Sequence, residues 1–311
     1  MKNKILNQDG TISEEKSGFR KFFEKLNYVF FKSYKLSSKK VALFTGLLIF
    51  AVFFIYPMIF VVINSFRPNQ DIILNPGGLP SAQSFQKFGF SLFDNYIQAF
   101  KEMDFLKVFL NTLIVTVCGT VGIIFFSSMC AYGLVRSNTK ISWFLYGFFA
   151  FSIVIPFQII MVPIGGLASD LHLMNVYGLI PMYWGLGCPQ AIFMFHGFIK
   201  SVPRELEESA AIDGAGKFYT FFVIVIPLIK TIIATIAVID ALWLWNDFLL
   251  PVIVAKEGTI QLAQMRFNGQ FMNDYGPMCA SLTISAIPII IFYLFLQKYI
   301  IKGIAAGAVK G

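Results

Sequence analysis

The chain has 311 residues, of which 57% are hydrophobic and only 14% charged, with a net charge of +8 and a mean hydropathy of +0.70. Those values exclude a water-soluble globule and point to a polytopic membrane protein. The basic excess needs no nucleic acid as a partner, because it follows the order of the apolar segments.

Residues 1–40 form a leader rich in lysine, from Lys2 and Lys4 through Lys16, Arg20, Lys21 and Lys25 to Lys39 and Lys40. The first apolar run starts only at Val41 and spans in full, with no small-residue cleavage pattern behind it, so a retained tail is expected and not a cleaved signal. Within the leader Phe19, Phe22, Phe23, Leu26 and Phe30 recur at helical spacing. A helix lying on an anionic membrane surface fits this pattern. A solvated basic leader whose aromatics pack on a bundle fits it as well.

Six apolar runs reach the roughly 20 residues that a helix needs to cross a bilayer. They cover about 41–63, 108–134, 142–165, 177–199, 229–250 and 278–299. No barrel-type alternation occurs, so an all-α membrane domain over 41–299 is expected, followed by a tail at 300–311. Pro156, Pro163, Pro181 and Pro288 are expected to kink spans. The basic residues then sort by side. The leader, Arg136 and Lys140 after the second run, Lys200, Arg204 and Lys217 after the fourth, and Lys298, Lys302 and Lys310 at the end share one side. The opposite loops, about 64–105 and 256–274, are poorer, which makes both termini cytoplasmic. The sequence Asn-Pro-Gly-Gly-Leu-Pro at 75–80 signals turns within the first of these loops.

Cys118, Cys130, Cys188 and Cys279 lie in or near separate spans, and His172 and His196 are isolated. Neither set has metal-ligand spacing or suggests a disulfide framework. A soluble-looking island stands between the fourth and fifth runs, at 200–228. Pro203 suits a first helical turn, Glu205, Glu207 and Glu208 suit the positive N-terminal end, and Gly214 suits a left-handed stop, so a helix over about 203–213 is expected. Ala210, Ala211 and Ile212 leave little side-chain bulk, which lets another surface approach, and Glu207, Glu208 and Asp213 offer acceptors to a basic partner. Ala215, Phe221 and Pro227 then lead back to the membrane. Helix signals alone describe a solvated loop helix without a partner equally well.

The fifth run carries the second polar constellation. Asp240, Trp243 and Asp247 fall on one helical face at offsets of three and seven, with Trp245 and Asn246 beside them. An ionisable group at that depth costs about 2.5 kcal/mol or more, so it should face a cavity or a partner. Carboxylates, amides and indoles also suit a sugar, while pairing within the subunit is the alternative. Gln158 and Gln190 are candidates for the same pathway or for interhelical hydrogen bonds. An ion-coupled secondary transporter would show inverted repeats, and none is visible. An aspartyl hydrolase would need Asp240 and Asp247 closer than two helical turns, about 10 Å.

The spacing of Glu208, Ala210, Asp213, Gly214, Phe221 and Pro227 resembles, position by position, the EAA loop of permease subunits of ATP-binding-cassette (ABC) importers. Ser209 replaces the usual first alanine, and Thr231 stands where a second proline is frequent. Trp245-Asn-Asp-Phe248, Phe267-Asn-Gly-Gln270, Tyr275-Gly276, Pro288, Gln297 and the stretch from Gly303 to Gly311 are similar to the MalG-like carbohydrate-importing branch. The resemblance implies six transmembrane helices and a permease that moves a sugar, an oligosaccharide by preference, through alternating access; a non-sugar solute is the alternative. It implies that Glu207, Glu208, Ala210, Ala211, Asp213, Gly214, Ala215, Phe221 and Pro227 belong to a loop docking on a cytoplasmic ABC ATPase dimer. Gly307 and Lys310 of the tail would touch the same ATPase.

A second homologous permease, an extracellular or periplasmic solute-binding protein and membrane lipid complete the implied partners, in a bacterial cytoplasmic membrane. The two outer loops are where the binding protein would touch. No GxxxxGK[ST] phosphate loop occurs in the chain, so ATP and Mg would be bound by the ATPase, with no cofactor here and no catalytic residue. In the related maltose system the other permease chiefly holds the sugar, which sets Asp240 and Trp243 apart from a substrate site.

Overall fold

A computed structural model of the chain describes residues 4–6, 12–14, 38–269 and 273–308. The expected surface helix at Phe19 to Phe30 and the tail contact at Lys310 lie outside the described residues. Two compact units divide the chain, Met1–Ile59 and Phe60–Gly311. In the first, β1 (Lys4–Leu6) pairs antiparallel with β2 (Ile12–Glu14), Ile5 opposite Ser13. Its other described element is most of α1 (Ser38–Asn64), an apolar helix of membrane-crossing length over Ala42–Asn64.

The second unit is helical throughout its regular elements. Three short helices come first, α2 (Asn69–Leu74), α3 (Ala82–Phe88) and α4 (Asp94–Glu102). Then follow α5 (Phe105–Ser137), α6 (Lys140–Ser152), α7 (Phe157–Asp170), α8 (Leu179–Ile199) and the island helix α9 (Glu205–Ile212). The last elements are α10 (Lys217–Leu228), α11 (Lys230–Asn246), α12 (Leu249–Val254), α13 (Ile260–Gln264) and α14 (Tyr275–Ala308). Helix α14 carries the backbone of Gly307 as a continuation of the last span.

Of the predicted runs, the first, second and sixth are unbroken apolar helices, and the fourth is α8. The third and fifth differ from expectation. Helices α6 and α7 meet at 103°, because Pro156 lacks an N–H and forces Ile155 out of helical geometry, so the kink expected at this proline is a full break. Helices α10 and α11 meet at 78° across Ile229. Pro181 does not kink α8; it falls in the first turn, where the missing N–H breaks no bond. Pro189, inside α8, is the interior proline there.

The core is α5 packed along α8, with α11 against both and α14 against α11. Neighbouring side chains lie directly on the backbone where α5 has no side chain of its own. A Cβ on Gly119 would stand 2.3 Å from the Leu244 side chain, and one on Gly122 would stand 2.0 Å from Trp184 Nε1. Small residues at such crossings supply the van der Waals contact that holds membrane helices together. Trp184 Nε1 also donates to Cys118 O at 3.1 Å. Around these crossings Ile123, Phe195, Ile199, Val225 and Ile236 form one apolar core, while Met103, Phe105, Trp245, Phe267 and Ala280 form a second at the end bearing the long loops.

Arg67, absent from the expected site, is fully buried (0% exposed) and fixes the first long loop. Its guanidinium donates to Asn64 Oδ1 at 2.8 Å, to Asp71 Oδ2 at 2.8 Å and to Asn75 O at 2.8 Å. A buried cation is tolerable only when this fully bonded. The 75–80 turn thus serves to wrap an arginine. Asn69 then ties this loop to the other one, accepting from Tyr275 N at 2.9 Å and donating to Asn273 O at 3.3 Å.

Candidate coupling loop and translocation cavity

Helix α9 forms because three acids occupy its first turn and a glycine ends it. Gly214 adopts φ +85°. Gly214 N donates to Ala211 O at 3.1 Å and Ala215 N to Ala210 O at 2.9 Å. That pair of bonds is a Schellman stop, which requires a left-handed residue at this point. The expected helix of 203–213 is therefore present, shortened to Glu205–Ile212 with Arg204 and Asp213 as flanking caps.

What holds α9 to the membrane domain is Glu207. Its carboxylate accepts from Arg136 Nε at 2.8 Å and from Tyr132 Oη at 2.8 Å, both on α5, and Arg136 Nη2 lies 2.5 Å from the same Oε1. Arg136 Nη2 also donates to Val202 O at 3.2 Å. Glu207 is accordingly not the free acceptor that the sequence suggested; its charge is spent inside the subunit. Below it, Phe221 is buried against Tyr132 with ring centroids 5.0 Å apart. Ala210 is also buried, so it packs inward and does not face a partner.

The outward face keeps the other residues expected there. Glu208, Ala211, Asp213 and Gly214 are exposed, and Ile212 is 88% exposed. Leu206, Phe218 and Tyr219 are exposed around it. An apolar tip on an otherwise polar loop is the signature of a surface that another protein covers. Pro227 is exposed and lies in the last turn of α10, just before the 78° bend.

The pathway candidates separate into three groups. Trp243, Asp247 and Gln190 line one cavity of about 520 Å³, together with Ser152, Ile155 and Phe157 at the α6–α7 break. Asp247 no longer shares a helical face with Asp240 as the spacing predicted. Helix α11 ends at Asn246, and Asp247 is extended (ψ 133°), its Oδ2 accepting from Tyr183 Oη at 2.8 Å and its Oδ1 from Leu249 N at 3.1 Å. Trp243 meets the edge of Tyr183 at 5.5 Å.

Trp245 is structural in its contacts, whereas Asp240 Oδ2 is buried without a hydrogen-bond partner among the described residues. Asp240 is 4% exposed inside the helix core. Trp245 is buried, donates from Nε1 to Ser285 O at 3.2 Å and meets Phe109 edge-on. Among the described residues the Asn246 side chain bonds only its own helix, at Leu242 O. Gln158 is exposed on α7 and outside the cavity, and neither Gln158 nor Gln190 bonds another helix among the described residues. Sequence reasoning missed Tyr183, Tyr132 and Arg136, whose roles arise only from contacts between distant segments. Among the described residues no group of three His, Cys, Asp or Glu is arranged to hold a metal.

Comparison with known proteins gives a consistent outcome. The model of the family described as "Binding-protein-dependent transport system inner membrane component" matches residues 123–306. The multiple sugar-binding transport system permease protein MsmG of Streptococcus mutans is 35% identical over 294 residues, which is 92% of this chain and 99% of that protein. A probable starch degradation products transport system permease protein, AmyC of Thermoanaerobacterium thermosulfurigenes, is 34% identical over 275 residues, 88% of this chain and 97% of that one. A crystal structure of a bacterial ABC transporter that imports the acidic polysaccharide alginate shares the fold, with a TM-score of 0.68 at 22% identity, covering 92% of this chain and 99% of the other.

Proposed function

Because the chain belongs to the family of inner membrane components of binding-protein-dependent transport systems, as the permease subunit of an ABC importer, we propose that it carries a sugar, an oligosaccharide by preference, across the bacterial cytoplasmic membrane. Relatives over nearly the full length of the chain, named for multiple sugars and for starch degradation products, support that cargo. In this reading Trp243 offers an aromatic face to a sugar ring while Asp247 and Gln190 offer hydrogen bonds.

Helix α9 is proposed to dock on a separate ABC ATPase dimer, which supplies ATP and Mg, with the termini on the same, cytoplasmic side. Gly307 and Lys310 are assigned to the same partner. A second permease, a solute-binding protein over the joined outer loops and surrounding lipid complete the assembly. The observation that carries the coupling role is the clamp between Glu207 and α5, since a displacement of α9 must then move the helix on which α8 and α11 both pack. The deciding experiment is sugar uptake into vesicles holding the chain with its operon partners. Uptake driven by ATP that survives collapse of the proton gradient supports the proposal, and uptake by this chain alone overturns it.

A further inference from the structure

A cavity of about 510 Å³ lies where the ends of α5 and α8, the start of α6 and the entry to α9 meet. It is distinct from the sugar-sized cavity at Trp243 and from the outward tip of α9. Three cations line it, Arg136, Lys200 and Arg204, against the single lining carboxylate of Glu205. Arg136 is already neutralised by Glu207. Among the described residues Lys200 and Arg204 have no carboxylate within ion-pair reach, and the Arg204 side chain makes only one hydrogen bond, from Nη2 to Val135 O at 3.3 Å. Two cations are therefore left uncompensated beside one carboxylate in a ligand-sized hollow.

The other wall is aromatic. His196 stacks on Tyr146 with ring centroids 3.9 Å apart, and Trp143 stands exposed at the edge. From there the outer face of α6 continues apolar and exposed through Ile141, Phe144, Phe148 and Phe151. Trp and Tyr at such a border mark the headgroup level of a bilayer. A ligand that fits both walls has a negative head and a long apolar body. Basic hollows between membrane helices with this composition recognise lipid phosphates.

We propose that this cavity holds the phosphate of an anionic phospholipid, with its acyl chain along α6. A phosphate oxygen would take hydrogen bonds from Lys200 Nζ and the free N–H groups of Arg204, which stands at the N-terminal end of α9. The bound lipid would then tie the entry of the coupling helix to the bilayer. Assignment to the inner leaflet rests on the cytoplasmic orientation proposed above; the chemistry of the hollow does not.

The test uses the full-length chain, extracted without its ATPase so that docking plays no part, and reads lipid retention by native mass spectrometry after exchange with phosphatidylglycerol or phosphatidylcholine. Phosphatidylglycerol should be retained over phosphatidylcholine, and Lys200→Gln and Arg204→Gln should each lower that retention roughly fivefold. The paired exchange Lys200→Arg with Arg204→Lys should restore it, which separates loss of binding from loss of fold. Equal retention of both lipids, or of phosphatidylglycerol by wild type and the double Gln variant, overturns the proposal. So does displacement of the lipid by inorganic phosphate at modest excess, which would assign the hollow to a soluble anion. Loss of ATPase co-purification in the double Gln variant with lipid retention unchanged would assign it to a protein carboxylate instead, and equally overturn it.

Discussion

Arg136 and Glu207, 71 positions apart in sequence, meet across the border between the membrane domain and the loop helix, with two guanidinium nitrogens on one carboxylate oxygen. Their side chains are only 14% and 13% exposed, so the pair is shielded from the solvent that makes most surface ion pairs weak. The arrangement makes α9 an extension of α5 and not a free loop.

Removing one partner should therefore cost more than removing the contact. Arg136→Ala leaves a mostly buried carboxylate bonded only by Tyr132, a loss on the order of 3 kcal/mol. Thermal denaturation of the purified chain should show a lower midpoint, and the assembled importer should hydrolyse ATP with less uptake per ATP. Arg136→Glu combined with Glu207→Arg should regain part of both. Unchanged uptake per ATP in Arg136→Ala would remove the clamp from the coupling path.

Gly214 offers a test of the turn alone. A Cβ there meets nothing within 4 Å, yet φ is +85°, so Gly214→Ala should cost about 1–2 kcal/mol through backbone strain and nothing through packing. Gly214→Pro cannot adopt that angle and should abolish the stop. Co-purification of the ATPase should fall slightly for the first and almost wholly for the second. Ile212→Asp should also lose the ATPase, with the melting midpoint unchanged, because the side chain touches little of its own subunit.

Two neighbouring tryptophans should part company. Trp243→Ala opens the cavity without removing a core residue and should reduce sugar uptake while the chain remains folded. Trp245→Ala deletes a buried indole and should destabilise by about 3–5 kcal/mol. A uniform effect of both on stability, measured by denaturation midpoint, would remove Trp243 from the pathway.

Helix α5 supplies its own control for close packing. Gly122→Ala places a carbon against Trp184 and should destabilise by about 1–3 kcal/mol. Gly133→Ala, on the same helix with nothing within 4 Å of the added carbon, should be neutral or slightly stabilising. If the two variants melted together, Gly122 would have no packing role.

The apolar runs, the acidic start of α9 and its glycine stop were legible because each is a local pattern in which solvent preference or one dihedral angle decides the outcome. The two bends were half legible. Pro156 announced a disturbance but not a 103° turn, and Pro227, two residues before Ile229, did not by itself announce a 78° one. Periodicity placed Asp240 and Asp247 on one face because it assumes that the helix continues, whereas Tyr183 and the amide of Leu249 hold Asp247 outside it. The Glu207 clamp and the Arg67 knot were illegible for another reason. Both join residues whose proximity is created by the packing of α5 or by the wrapping of a turn, which no local pattern records.

Between the loop and the bend, Thr220–Val225 is wound as a π-helix. Such a turn holds about one residue more than an α turn. Shortening this stretch by a single residue would rotate everything before it by about 100° relative to α11. Phe221 would then swing from under Tyr132, and Ile212 would point along a different bearing. The spare residue thus acts as a gear tooth, setting the angle at which the exposed tip meets whatever covers it.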